Sequence, residues 1–342
     1  MDFQIALLLG QDGLVNGAIY ALLALALVLI FSVTRVIFVP QGEFVAFGAL
    51  SMAMMQAGRT PPALWLLVGL APLTLAAELW RRWRGLPTHW VATLVWTIVL
   101  PGAAALLALW IKPASQPAQV LTTLLLITPL GPMIYRLAFR PLADASVLTL
   151  LIAAVALHGV LVGLGLYFFG AEGSRTAAFS EARLNVSGIV LSGQALVVLG
   201  ATALMSALLF AFFEYSIIGK ALRATAINRV GARLMGVPTD LAGDLSFALA
   251  AAIGAISGLL IAPLTTIYYD TGFFIGLKGF VAAILGGLAS YPWAMAGALL
   301  VGVLESFSAF WASAFKEVIV FTLILPVLLW RSLKTRRVEE DA

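Results

Sequence analysis

From residue 13 to residue 33 the chain carries no charged side chain. That stretch is as long as a helix needs to be to cross the hydrocarbon core of a bilayer, about 20 mostly apolar residues. Comparable stretches recur near 62–79, 91–111, 119–135, 148–170, 189–212, 244–262, 293–312 and 316–331. Two shorter ones, 43–57 and 276–290, are Gly-rich or carry charges, and are expected to cross as short or broken helices lining the interior. In lipid every backbone polar group must be satisfied within the chain, which leaves helices as the economical solution for runs of this length. The expectation is therefore all-α: one polytopic transmembrane bundle over 1–342, with about eleven crossings.

Composition agrees. The 342 residues are 62% hydrophobic and 11% charged, against about 45–50% and 25% in soluble domains. So few charges cannot cover a water-facing surface, which excludes a soluble enzyme, a nucleic-acid-binding domain and a disordered tail. Without cysteine, disulfides, thiolate metal sites and cysteine nucleophiles are excluded as well. The histidines are His89 and His158 alone, too few for a multi-histidine metal centre.

The basic residues sort by side. With the N-terminus outside, one set of connections holds Arg35; Arg81, Arg82 and Arg84; Arg136 and Arg140; Lys220, Arg223, Arg229 and Arg233; and Arg331, Lys334, Arg336 and Arg337, which is 14 of the 20. Arg59, Lys112, Arg175, Arg183 and Lys316 fall on the opposite side, and Lys278 lies inside a short crossing. Cytoplasmic loops concentrate Lys and Arg, so the count implies N-terminus outside, C-terminus inside and a cytoplasmic tail over 333–342. It also accounts for the net charge of +4 without nucleic acid. Nothing basic precedes Arg35, so the charged opening of a cleavable signal peptide is not expected.

Within the spans, small residues mark close packing. Ala250, Gly254, Gly258 and Ala262 recur at four-residue spacing, as do Ala294, Ala298 and Gly302. Such faces suit packing within the chain, and also a subunit interface or pore wall. Pro40, Pro101, Pro129, Pro132, Pro263 and Pro326 lie in or beside spans, where helix breaks can frame a transported solute or act as simple kinks.

The most informative soluble stretch is 213–243. It predicts a short basic helix, broken around Gly231, stopped by Gly236 and Pro238, with Thr239 and Asp240 as N-caps of the next span. Its four basic residues suit anionic membrane lipid or a docked cytoplasmic protein.

Here the sequence resembles the permease subunits of branched-chain amino acid ABC importers, the LivH/LivM type. Gly219, Arg223, Ala224, Asn228, Gly236 and Val237 occupy places matching that family's coupling region. Asn16-Gly17-Ala18-Ile19-Tyr20-Ala21-Leu22 resembles its first-span motif, and Phe139-Arg140-Pro141-Leu142 its Tyr-Arg-Pro-Leu block. Lys278-Gly279-Phe280, Ala283-Ile284-Leu285-Gly286-Gly287-Leu288, Gly297 and Gly302-Val303-Leu304-Glu305 resemble its C-terminal signature. There are departures. Where the family usually reads Asn-Phe-Ala-His-Gly-Glu, this chain has Phe38 and Gln41 in the first and fourth places, before Gly42 and Glu43. Residues 80–118 look like an insertion of two extra spans. Trp330-Arg331-Ser332-Leu333 replaces the common Arg-Pro-x-Gly ending.

The resemblance implies a translocation subunit, not an enzyme, that pairs with a second permease of the same family. It further implies two cytoplasmic ABC ATPase subunits and a periplasmic solute-binding protein, in a bacterial inner membrane. The chain has no phosphate-binding loop of its own, so ATP and Mg would be used by the partner ATPases and no cofactor is expected here. The ATPases would dock on Gly219, Arg223, Ala224, Asn228, Arg229, Arg233, Gly236 and Pro238. Rare polar groups inside spans are the candidates for the solute path: Asn16, Tyr20, Gln41, Gly42, Glu43, His158, Lys278 and Glu305. Each also has a structural reading. Lys278 and Glu305 could form an ion pair, Glu43 a polar network, and His158, which has no counterpart in the family, a packed interior site. The solute implied is a branched-chain amino acid or a related small polar one, such as another amino acid, urea, an amide or an aromatic acid, moved by alternating access; the altered motif and His158 point away from the usual branched-chain set. The alternative is a stand-alone ion-coupled transporter, for which Glu305 is the one deep carboxylate at hand.

Overall fold

A computed structural model describes residues 3–111, 114–186 and 189–329. Lys112, Arg331, Lys334, Arg336, Arg337, the altered ending at 330–333 and the tail 333–342 lie outside the described residues.

In chain order the helices are α1 (Phe3–Thr34), α2 (Gln41–Gln56), α3 (Ala63–Trp83), α4 (Trp90–Trp110), α5 (Gln116–Leu142) and α6 (Val147–Phe169). A two-stranded hairpin follows, β1 (Arg183–Val186) and β2 (Ile189–Ser192), antiparallel with Leu184 opposite Leu191. Then come α7 (Gly193–Tyr215), α8 (Ile217–Ile227), α9 (Arg229–Leu234), α10 (Thr239–Ile261), α11 (Thr271–Leu285), α12 (Tyr291–Trp311) and α13 (Lys316–Thr322). Eight helices among the described residues are long and apolar enough to cross a membrane: α1, α3 to α7, α10 and α12. The two Gly-rich stretches form the shorter helices α2 and α11. The fold is that of an all-α polytopic membrane protein.

The region 80–118 differs from the expectation of two extra spans. It holds one complete helix, α4, between the end of α3 and the start of α5. The charges of Arg81, Arg82 and Arg84 end one helix there, and only a single apolar run follows before Gln116.

α1 lies at the centre of the bundle, with most of its surface buried. It packs against α12, α10 and α11, and α2 fills the space between α10 and α11. The small-residue faces do this packing within the chain. A β-carbon at Gly258 would overlap the carbonyl of Val45 on α2, and one at Gly302 would overlap the backbone of Gly13 and Gly17 on α1. Gly42 and Gly272 bring α2 and α11 together backbone to backbone. Peripheral α6 and α7 keep most of their surface outward.

The connections separate to two ends of the bundle. At one end Arg140 and Arg81 meet Asp240, Arg229 donates to the carbonyl of Ala143, and Arg233 to Thr239. At the other, Arg175 donates to the carbonyls of Pro263 and Leu264, and Gln56 accepts from the amide of Ala177. Arg81, Arg140, Arg229 and Arg233, assigned to one side from charge, thus share an end.

Candidate transport site

Four polar clusters interrupt the apolar bundle. The first lies between α1, α11 and α12. Lys278 places Nζ 2.5 Å from Oε1 of Glu305, and the hydroxyl of Tyr20 donates to the other oxygen at 2.5 Å. Glu317, at the start of α13, adds a carboxylate 3.2 Å from the same ammonium. The pairing of Lys278 with Glu305 foreseen from the sequence is present. Asn16 lies one turn before Tyr20 and is half-buried.

The second cluster joins α2 to α6. Glu43 is fully buried, and its Oε1 lies 2.7 Å from Nδ1 of His158. The imidazole stacks on Phe273 of α11 with ring centres 4.6 Å apart. His158 is therefore not the solitary histidine that its sequence neighbourhood suggests. Gln41 donates to the carbonyl of Ala250 at 2.9 Å. The second oxygen of Glu43 and the side-chain oxygen of Gln41 are buried with no hydrogen-bond partner among the described residues.

A third cluster was not foreseen. Arg136 on α5 donates Nε to both oxygens of Asp244 on α10, each at 3.0 Å, and another nitrogen to Thr93 of α4 at 2.6 Å. One turn on, Arg140 reaches Glu78 of α3 at 2.5 Å and Asp240 at 2.8 Å. Arg136, Arg140, Glu78 and Asp244 are all buried. Their sequence signal is matched spacing: two arginines four apart on one helix and two aspartates four apart on another.

The fourth feature is an elbow formed by α8 and α9 between the spans α7 and α10. Its break falls at Asn228 rather than Gly231, because Asn228 is the N-cap of α9 and its Oδ1 accepts from the amide of Gly231. Gly236 then ends the elbow at φ +83, a left-handed turn that glycine adopts without strain. Pro238, not Thr239 or Asp240, takes the N-cap position of α10 without a side-chain cap. Thr239 instead accepts from Arg233, and Asp240 is held by Arg140. Arg223 pairs with Glu214 at 2.9 Å, both well exposed. Gly219 allows α8 to press against the backbone of Phe212 and Phe213, and Ala224 is exposed on α8.

Residues 11–328 match a family described as the permease component of the branched-chain amino acid transport system. The chain belongs to this family. The permease is 33% identical over 223 residues to the high-affinity branched-chain amino acid transport system permease protein LivH of Salmonella typhimurium, covering 62% of this chain and 71% of that one. It is 34% identical over 210 residues to LivH of Escherichia coli K12, covering 58% and 67%. It is 31% identical over 239 residues to BraD of Pseudomonas aeruginosa, covering 66% and 76%. Among solved structures, PsaBC from Streptococcus pneumoniae in complex with Fab is alike over 93% of this chain and 90% of that chain, at a TM-score of 0.37 and 14% identity. That likeness is too loose to carry an argument.

The altered motif of the permease now has a physical account. Phe38, in the place the family pattern gives to Asn, is buried among Phe44, Phe139 and Phe247, with ring centres 4.9–5.8 Å away. Gln41 stands where the pattern has His, and the imidazole beside Glu43 comes from α6 instead.

Proposed function

We propose that this permease is the translocation subunit of an ATP-driven importer of branched-chain amino acids in a bacterial inner membrane. Its N-terminus faces outward, and it forms half of a pair with a second permease. Two cytoplasmic ATPases supply ATP and Mg chemistry, and a periplasmic binding protein delivers the solute. The path alternates between outward and inward access.

The elbow carries this reading. Ile227, Val230, Leu234 and Met235 are 84%, 70%, 83% and 84% exposed, on a loop that also carries Lys220, Arg223, Arg229 and Arg233. An exposed apolar tip of this kind marks an interaction surface. A helix lying in the lipid interface turns Lys and Arg outward on its polar face, toward the headgroups. Here Arg229 and Arg233 turn back to Ala143 and Thr239 instead, which favours a protein groove over lipid.

The same contacts give the elbow purchase on the bundle. α10 begins three residues after Gly236, and within its first turns Asp240 and Asp244 are bonded to α5. Motion imposed on the elbow by an ATPase would enter α10, α5 and α3 together. The stand-alone ion-coupled reading is weaker, because the deep carboxylate of Glu305 is already held by Lys278 and Tyr20. With His158 engaged by Glu43, the case for an unusual solute loses its main support, and the family's own solute class is the reading retained.

The test is co-purification with the ATPase subunits and leucine uptake into membrane vesicles supplied with binding protein. The native permease should bring the ATPases with it and import only with ATP. Leu234→Glu/Met235→Glu should lose the ATPases while the permease keeps its melting temperature. Uptake driven by an ion gradient in the permease alone would overturn the proposal, as would undiminished ATPase binding by the variant. Transport of urea, an amide or an aromatic acid in place of leucine would overturn the solute class only.

A further inference from the structure

The last turn of α3 and the first of α4 carry an unusual concentration of arginine and tryptophan: Trp80, Arg81, Arg82, Trp83 and Arg84, then Trp90. Arg81 turns inward, 3.7 Å from Asp240. Arg82 and Arg84 do not, and their guanidinium groups make no hydrogen bond or ion pair among the described residues. Each is instead laid over an indole. The guanidinium carbon of Arg84 is 3.8 Å from the ring centre of Trp80, and that of Arg82 is 5.6 Å from Trp90.

A guanidinium stacked this way uses its flat face and keeps its rim of N–H donors, the geometry that matches phosphate oxygens. The acid nearest in sequence, Glu78, does not compensate the charge, since it is taken by Arg140. Trp83 is 83% exposed and Trp80 51%, as indoles at a membrane–water boundary commonly are. Beyond them the surface turns apolar, with Leu79 and Val91 exposed on two spans that leave most of their residues unburied.

We propose that Arg82 and Arg84, framed by Trp80, Trp83 and Trp90, bind the phosphate headgroup of an anionic phospholipid whose acyl chains lie along α3 and α4. Basic pockets beside spans are suited to such headgroups. The site does not depend on what the permease transports. It adjoins the transport machinery through Arg81, which shares Asp240 with Arg140 at the start of α10.

Free phosphate shares the chemistry, so the test separates the two. The purified permease is incubated with mixed micelles of phosphatidylglycerol or phosphatidylcholine, and bound lipid is counted by native mass spectrometry. The native protein should retain phosphatidylglycerol in preference. Arg82→Gln/Arg84→Gln should lower that retention about tenfold or more, near the level of phosphatidylcholine. Arg59→Gln/Lys220→Gln, which removes equal charge elsewhere, should not. A second measurement leaves the arginines intact: brominated phosphatidylglycerol should quench tryptophan fluorescence more than brominated phosphatidylcholine. That difference should vanish in Trp80→Phe/Trp83→Phe/Trp90→Phe. Equal retention by the native and glutamine proteins overturns the proposal, as does an equal fall in the control. Displacement of the lipid by millimolar inorganic phosphate would show a free-phosphate site and overturn the lipid assignment.

Discussion

Arg136 meets Asp244 side-on, its Nε 3.0 Å from both carboxylate oxygens and a terminal nitrogen 2.5 Å from one of them. Among the described residues only Glu78, 3.9 Å away, offers Arg136 a second carboxylate. Removing one member of a buried ion pair strands the other, at a cost of about 3–5 kcal/mol. Asp244→Ala should therefore lower the melting temperature of the purified permease sharply. Asp244→Asn keeps an acceptor beside the guanidinium and should cost less. An alanine variant that melts with the native protein would show the pair to be dispensable.

Glu43 and His158 lie 2.7 Å apart across α2 and α6. Glu43 is the more buried of the two, so deleting the imidazole should cost more than changing the carboxylate to an amide. His158→Ala is expected to destabilise the permease by about 1–3 kcal/mol, the cost of leaving a buried polar group without its partner. Adding Glu43→Gln to that background should restore part of the loss, because the stranded carboxyl group is gone. Thermal unfolding of the two single variants and the double variant measures the coupling. Strict additivity would mean that the contact stores nothing.

Eight spans were legible because bilayer thickness sets a length that apolar runs either meet or do not; 316–331, also read as a span, is not among the long helices of the described residues, and α13 there covers Lys316–Thr322. Lys278 and Glu305 were legible as partners because each is a lone charge in its own apolar helix. Glu43 and His158 were individually visible but not as a pair, since nothing in a sequence places α6 beside α2. Arg136 was read only as a marker of sidedness, Arg140 as that and as part of the Phe139–Leu142 block, and Asp240 as a helix cap. Their four-residue spacing matches across α5 and α10, and that register becomes informative once the two helices are known to be neighbours. At the elbow, Gly231 drew the break because glycine weakens helices, yet Asn228 wins by capping three residues earlier.

Tyr20 and Lys278 hold the same carboxylate with unequal consequences. Tyr20→Phe removes one hydrogen bond to Glu305 and leaves the ion pair at 2.5 Å in place. The expected loss is about 1.5–3 kcal/mol, the range for a hydrogen bond to a charged group. Lys278→Met takes the ammonium from Glu305, while Glu317 keeps Lys316 at 4.0 Å, and should cost more. Melting temperatures should fall in the order native, Tyr20→Phe, Lys278→Met. The reverse order would show that the ammonium does not anchor the cluster.

Asn228 separates stability of the elbow from stability of the bundle. Its Oδ1 accepts from the amide of Gly231 at 2.8 Å and fixes the angle between α8 and α9. Asn228→Ala removes the cap, worth about 1 kcal/mol, from a short helix that has little else to hold its first turn. Asn228→Asp or Asn228→Ser keeps an acceptor at the same place. The alanine variant should therefore bind ATPase less well and import leucine more slowly, at a melting temperature close to native. The aspartate and serine variants should keep most of both activities. If all three lose transport equally, the side chain acts through direct contact with the ATPase and not by shaping the elbow. If none does, the elbow's angle is not what couples the two proteins.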